Sequence, residues 1–477
     1  MLKHPLGKAA LVAAAVAVFR ALSTLGLELY ADEAYYWLWS RRPALGYFDH
    51  PPMVAWLIGL SSAVFPGELG IRLPFILCGA LAVLFAALTA RELSDDPRAP
   101  MYAALLAATA PLLTVTGTLA LPDAPLEAAY AGAVWLLARA RGRRWAWAGL
   151  AVGLALLSKY SAALLAPALV LLVVWDGELR RELRTPWPWI GAAVAIAVFS
   201  PTLLWDAQRG FASIGFQLHH GFRPQPSLTM FALFMGAQLV APGPIVYVSL
   251  GALVRARAPG WKRVAAAALV PIAVTIYSAT RSHAEANWTV HVIPPLCAAA
   301  GAWLATRRLG RPLILAHVAL GVVVAGVLVW AQRDPRFAGQ AVYDRFHGWR
   351  EFTRRMHEVT AAGCADAGLR CDLRDPYVVP ASYQYAGEIA YYGGWQRLGR
   401  GITRASQLDL WDAQPRPGEP VIVVADSPTT FDMFKAHAQA VERIPPRVWE
   451  VRGGNGELIR SGTTAPFTHS ASANLAR

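Results

Sequence analysis

Charge is scarce in this chain of 477 residues: Asp, Glu, Lys and Arg make up 16%, against about a quarter in soluble globular domains. Cysteine is scarcer still. Four cysteines without a C-x-x-C pair exclude a zinc ribbon, a thioredoxin-like redox motif and a disulfide-dense scaffold. Cys78 and Cys297 lie in apolar runs, where a small buried thiol is the ordinary outcome. Cys364 and Cys371 lie close together in a more polar stretch, where a disulfide forms if that part meets an oxidising compartment. No G-x-G-x-x-G fingerprint stands out, so a nucleotide-binding Rossmann site is not indicated. Acidic residues are the minority charge, 31 against 44 basic, for a net charge of +13. Nucleic-acid binding needs a continuous basic surface, and here the basic residues form short clusters between apolar runs.

Apolar sequence is what the chain has in abundance: 55% hydrophobic residues and a mean hydropathy of +0.36. A membrane span needs about 20 apolar residues, fewer where a helix is broken inside protein. Spans are expected near residues 8–29, 69–90, 100–120, 122–139, 145–158, 161–175, 187–206, 228–254, 262–280, 288–306 and 311–331. The first, within "MLKHPLGKAALVAAAVAVF", lacks a convincing A-x-A cleavage site and reads as an uncleaved helix. The pair 145–158 and 161–175 flanks "LSKYS" and reads as two half-length helices meeting at a polar vertex.

Loop charges orient this threading. One set of loops carries Lys3 and Lys8, Arg91 and Arg98, the Arg139–Arg144 cluster, Arg180, Arg181 and Arg184, the Arg255–Arg263 cluster, and Arg307, Arg308 and Arg311. The alternate loops carry only Arg41, Arg42, Lys159, Arg209, Arg223 and Arg281, with Arg72 at a helix start. A bias of about threefold marks the first set as cytoplasmic, giving an N-inside, C-outside polytopic α-helical membrane protein of about 11 spans. Residues 1–331 form the transmembrane domain, with a first outer loop over 30–68. Residues 332–460 carry more charge and no further span. There "PYVVPASYQYAGEIAYYGG" reads as a strand entering a helix with Ala386, Ile389 and Ala390 on one face. "GEPVIVVADSPTTFDMF" reads as a buried strand, a cap and another helix, completing a small α/β domain. The tail over 461–477 has the composition of a disordered segment.

The outer loops then share a property. "LYADEAYYWLWSRRPALGYFDHPPMVAW", "LPDAPLE", "SKYS", "QLHHGF" and "RSHAEANW" all fall on the same side of the membrane. Ionisable groups at membrane depth cost about 2.5–3.5 kcal/mol each on insertion scales, so several at one level imply a polar cavity. Asp32 and Glu33 are adjacent and point about 100° apart on a helix, so one faces the cavity while the other pairs or caps. The prolines of "HPP" set φ and hold Asp49 and His50 at the head of the next segment. The aromatics serve as interfacial anchors or as stacking surfaces for a sugar. Lys159 is a helix-end anchor or a site cation, Asp123 an N-cap or a site acid, and Arg281 with Glu285 a capping ion pair or part of the site. Adjacent His219 and His220 make a poor metal pair without further ligands. A transporter or flippase would place its ionisable groups near the midplane within inverted repeats, and neither is apparent.

"ADEAYYWLW", "LGYFDHPPMVAWL", "LPDAPLE", "GLALLSKYSAALL" and "EANWTVHVIPPL", in this order, resemble the bacterial GT-C glycosyltransferases related to protein O-mannosyltransferases and lipid A aminoarabinose transferases. The resemblance covers about residues 20–310, with "FHGWRE", "YQYAGEIAYY" and "SQLDLW" beyond it. It implies a GT-C fold in the bacterial inner membrane, with the active site and the C-terminal α/β domain facing the periplasm. It implies a polyprenyl-phosphate sugar as donor, and as acceptor a membrane lipid or glycolipid such as lipid A or core saccharide, or alternatively protein Ser or Thr. The family's acidic base in the first outer loop falls on Asp32 and Glu33, and its "HPP" or "KPP" element on His50, Pro51 and Pro52. Some relatives have Lys where this chain has His50, next to Asp49. Asp123 matches the acid of the second outer loop and Lys159 the base at the broken helix, while Arg281, His283, Glu285 and Trp288 match a less regular polar segment. No ligand set demands a metal, and a divalent cation (Mg or Mn) between the donor phosphate and Asp32 or Asp123 stays an open option.

Overall fold

The computed structural model describes residues 5–222, 225–366, 371–411, 413–416, 421–425 and 449–452. In chain order the α-helices are α1 (Pro5–Ser23), α2 (Ala31–Ser40), α3 (Met53–Ser62), α4 (Gly67–Leu93), α5 (Ala99–Ala108), α6 (Pro111–Thr116), α7 (Asp123–Ala138), α8 (Arg144–Ser158), α9 (Leu165–Trp175), α10 (Gly177–Glu182) and α11 (Trp187–Ala207). They continue as α12 (Ala212–Phe222), α13 (Leu228–Val240), α14 (Val248–Val254), α15 (Pro259–Arg281), α16 (Ile293–Ala305), α17 (Gly310–Ala331), α18 (Ala341–Asp344), α19 (Trp349–Asp366), α20 (Tyr383–Gly393) and α21 (Gln407–Trp411). The strands are β1 (Tyr377–Pro380), β2 (Val421–Ala425) and β3 (Trp449–Arg452). Contacts divide the chain into two compact units, one of Met1–Gly26 with Pro43–Arg333 and the other of Leu27–Arg42 with Asp334–Arg477.

The first unit is a helix bundle, and the protein is a polytopic helical membrane protein. Every segment expected to span contains helix. Among the described residues, six helices are long and apolar enough to cross a membrane, and Leu228–Val240 with Pro244–Val254 makes a seventh if taken together across a 91° bend. The other expected spans are shorter or interrupted. The stretch near 100–120 breaks between α5 and α6, where Pro111 opens the second helix and cannot continue the first. The first helix stops at Ser23 rather than near 29, because Gly26 takes φ +77° and turns the chain out of the helical path. The break at "LSKYS" is present: α8 ends at Ser158, Lys159 is extended (φ −157°, ψ 139°), and a 3₁₀ turn over Tyr160–Leu164 leads into α9.

Small residues hold this bundle together, as expected where lipid removes the hydrophobic drive between helices. The apolar stretch Ala286–Ala305 is 89% buried and is packed on all sides. α8 and α11 touch backbone to backbone at Gly149 and Gly191, where a Cβ on Gly149 would lie 2.6 Å from the Gly191 carbonyl carbon. Gly149→Leu is therefore expected to lower the thermal midpoint of the detergent-purified protein, at an overpacking cost of about 1–3 kcal/mol. An unchanged midpoint would mean that α8 and α11 separate freely.

The second unit is an α/β layer. Its three strands run parallel in the order β1-β2-β3, with Tyr377 paired to Val421 and Ile422 to Trp449. β1 leads into α20, which Ser382 caps by accepting from Tyr385 N and which Gly394 ends in a left-handed turn. Ala386, Ile389 and Ala390 of α20 are buried together with Val378, Ile422, Val424 and Leu38 of α2. Cys364 and Cys371 are joined by a disulfide. The cap and helix expected after β2, and the tail over 461–477, lie outside the described residues.

Candidate functional site

In the helix bundle, one polar group is assembled from three distant segments. Pro122 precedes α7 and leaves Asp123 in its first turn, where the helix dipole favours a carboxylate. Extended Lys159, at the break between α8 and the 3₁₀ turn, donates from Nζ to Asp123 Oδ1 at 2.9 Å. Asn287, in the turn before α16, places Nδ2 at 3.3 Å from each Asp123 oxygen. The pair is shielded, with side-chain exposures of 14% for Lys159 and 3% for Asp123. A helix-end anchor reaching for solvent would be more open, so burial and pairing favour a role for Lys159 inside the bundle. Glu127, one turn after Asp123, is fully buried and accepts from the Thr116 hydroxyl. Arg20 of α1 is fully buried as well and donates from Nη2 to Leu113 O at 2.6 Å.

The "FDHPP" loop is tied down within the same unit. Ala44 N donates to the Tyr47 hydroxyl at 3.0 Å, Tyr47 N to His50 O at 3.2 Å, and Trp56 Nε1 to Ala44 O at 2.9 Å. Burial pushes the Tyr47 phenol up to about 12, opposed by its bond to Ala44, so it stays protonated at neutral pH and is a structural hydroxyl. Asp49 is buried, His50 half-buried, and Gln217 Nε2 of α12 donates to Asp49 O at 2.5 Å. A row of rings follows, from Phe48 to Phe216 (4.8 Å), Phe216 to His220 (5.8 Å, stacked) and His220 to Trp288 (5.6 Å). Through it the loop bearing Asp49 and His50 is linked to the segment bearing Trp288 and Asn287. Arg281, His283 and Glu285 have exposed side chains, and among the described residues Arg281 and Glu285 form no ion pair. Also among the described residues, no group of three or more His, Cys, Asp or Glu is placed to hold a metal ion.

Asp32 and Glu33 belong to the second unit, in the first turn of α2. Glu33 is fully buried and its Oε2 accepts Tyr30 N at 2.9 Å, while its own N donates to Tyr30 O at 2.8 Å. It is therefore the capping member of the pair. Asp32 is half-buried, and its Oδ1 accepts from Gln384 Nε2 of α20 at 3.3 Å.

Sequence reasoning passed over Asn287, Glu127 and Gln384. Glu127 carried a usable signal, since it lies four residues after Asp123 and so on the same helix face. The two amides carried none, because a neutral side chain shows no charge cost in a local pattern.

A family profile described as dolichyl-phosphate-mannose-protein mannosyltransferase matches residues 49–205, a stretch that includes Asp49, His50, Asp123 and Lys159. A lipid A galacturonosyltransferase of Rhizobium johnstonii is 27% identical over 55% of this chain and 58% of its own length. An undecaprenyl phosphate-α-4-amino-4-deoxy-L-arabinose arabinosyl transferase of Pseudomonas aeruginosa is 34% identical over 35% of this chain and 32% of its own. The chain thus spans between about a third and about three fifths of the length of these relatives. The crystal structure of ArnT from Cupriavidus metallidurans bound to undecaprenyl phosphate superimposes with a TM-score of 0.61 at 15% identity, covering 92% of both chains. The apo form of the same protein gives 0.55 at 16%. The chain thus shares the fold of ArnT, and about a third of it matches the mannosyltransferase profile.

Proposed function

We propose that this protein is an inner-membrane glycosyltransferase that moves a sugar from a polyprenyl-phosphate donor to a lipid acceptor of the envelope, lipid A or another glycolipid, at the periplasmic face. The observation that carries the reading is the buried Lys159–Asp123–Asn287 group, of which Asp123 and Lys159 lie inside the stretch that matches the mannosyltransferase profile. The names of the relatives in Rhizobium and Pseudomonas support a lipid-linked sugar and a lipid A acceptor.

The chemistry asks for little beyond these residues. An acceptor hydroxyl attacks the anomeric carbon, the bond from that carbon to the phosphate oxygen breaks, and its electron pair leaves on the polyprenyl phosphate. The hydroxyl proton passes to Asp32, the general base, while Glu33 holds the first turn of α2. A single displacement inverts the anomeric centre. Lys159 neutralises the departing phosphate, held by Asp123 in the low-dielectric interior, where a fixed cation acts more strongly than in water. His50, Asp49 and Trp288 line the donor side, with Arg281, His283 and Glu285 at its exposed margin.

Mass spectrometry of lipid A and core saccharide from parent and deletion cells tests the reading. The expected result is a glycosyl substituent present in the parent and missing in the deletion. An unchanged lipid profile with a missing glycopeptide mass would replace it with transfer to protein Ser or Thr; the description of the matching profile names a protein mannosyltransferase.

A further inference from the structure

The helix that bears Asp32 is an integral element of the C-terminal unit. Leu38 of α2 is buried in one core with Met356, Ile389, Trp395 and Leu408. α2 and α20 meet backbone to backbone at Gly387, where a Cβ would lie 2.6 Å from the Ala34 carbonyl carbon and 2.7 Å from Tyr35 Cα. Hydrogen bonds secure the segment along its length: Trp349 N to Glu28 Oε2 at 2.7 Å, Leu29 N to the Tyr392 hydroxyl at 2.7 Å, and Gln407 N to the Tyr35 hydroxyl at 2.8 Å. The first turn of α20 is braced in turn, with the Tyr383 ring 4.6 Å from the Tyr35 ring and the Arg404 guanidinium 4.0 Å from the Tyr383 ring's centroid.

Close approach at Gly387 brings the two helix starts together one turn earlier, and there Gln384 Nε2 reaches Asp32 Oδ1 at 3.3 Å. We infer that Gln384 is a positioning residue for Asp32, so that the C-terminal unit takes part in transfer by fixing the orientation of the base; this rests on the proposed role of Asp32. The residue type fits the task. A neutral amide at this length restricts rotation of the carboxylate at small cost to its basicity. The amide itself takes no proton, so its effect runs through Asp32.

The test uses the full chain in proteoliposomes with lipid A and undecaprenyl phosphate carrying either 4-amino-4-deoxy-L-arabinose or galacturonate, whichever sugar the parent transfers. Gln384→Met keeps the length and removes the donor, and Gln384→Glu keeps the shape and sets a like charge beside Asp32. Misorientation of a reacting group by about 1 Å costs on the order of a hundredfold, so both variants are expected to lower kcat by about ten- to a hundredfold with KM within about twofold. Both are also expected to move the acid limb of the kcat/KM profile to higher pH, Gln384→Glu further than Gln384→Met, a readout that a packing role would not move. If the Met variant unfolds, the isosteric Glu variant carries the test. Parental kcat and pH profile in the folded variants, alongside an inactive Asp32→Asn, would overturn the inference and spare the base. Full activity of Asp32→Asn, or a parent that transfers neither sugar, would overturn the reading beneath it.

Discussion

Asp32→Asn is expected to lower transfer by about a hundred- to ten-thousandfold, the range over which a positioned general base contributes. The amide has nearly the shape of the carboxylate and keeps an acceptor oxygen for Gln384, so α2 and its contacts with α20 survive. Donor binding in the bundle is then expected to be unchanged, with the whole loss in kcat. The comparison variant is Glu33→Gln. Glu33 is fully buried and accepts the backbone N–H of Tyr30, a bond the Gln amide oxygen can still accept, so only a small drop in thermal midpoint is expected, with far less effect on rate than at Asp32. Asp32→Asn transferring at the parental rate in proteoliposomes would remove Asp32 as the base.

Lys159→Met carries the second large effect. Asp123 is almost wholly buried, and Lys159 is its cationic partner at 2.9 Å. Removing one member of a buried pair typically costs about 3–5 kcal/mol, because the remaining charge is left uncompensated. Asn287 shares the carboxylate but supplies no charge, so it offsets only part of that cost. The expected result is a lower thermal midpoint together with loss of transfer, and a smaller stability loss in the double variant Lys159→Met with Asp123→Asn than the single variants add up to. The double variant should recover stability and stay inactive, since the cation for the departing phosphate is still missing. Additive stability losses would mean that the two residues act independently, and full activity of Lys159→Met would assign Lys159 to anchoring alone.

Much of the fold was legible because its cause is local. A run of apolar residues has to satisfy its backbone polar groups internally, so helices appear over every expected span. The break at Lys159 was legible for the same reason, as a charged residue between two short apolar runs. The alternation around "YQYAGEIAYY" placed Ala386, Ile389 and Ala390 on a buried face. Less visible was the interruption near Pro111, since the run reads as continuous when only hydropathy is counted.

The site divides along the same line. Composition and spacing by themselves determined a chain of membrane helices joined by polar loops, and marked Asp32, Glu33, Asp49, His50, Asp123 and Lys159 as charges retained in an apolar setting. Each stands out alone, because the cost of a charge near hydrocarbon is paid residue by residue. Which groups meet is decided only by tertiary structure. Lys159 pairs with Asp123 and recruits Asn287 from a segment 164 residues after Asp123 in the chain. Glu33 turns back to cap its own helix, while Asp32 meets Gln384, 352 residues further on. A hydrogen bond between such distant residues leaves no local periodicity, and a neutral amide leaves no charge signal either. Only packing at Gly387, where two backbones touch, sets the distance at which Gln384 reaches the carboxylate.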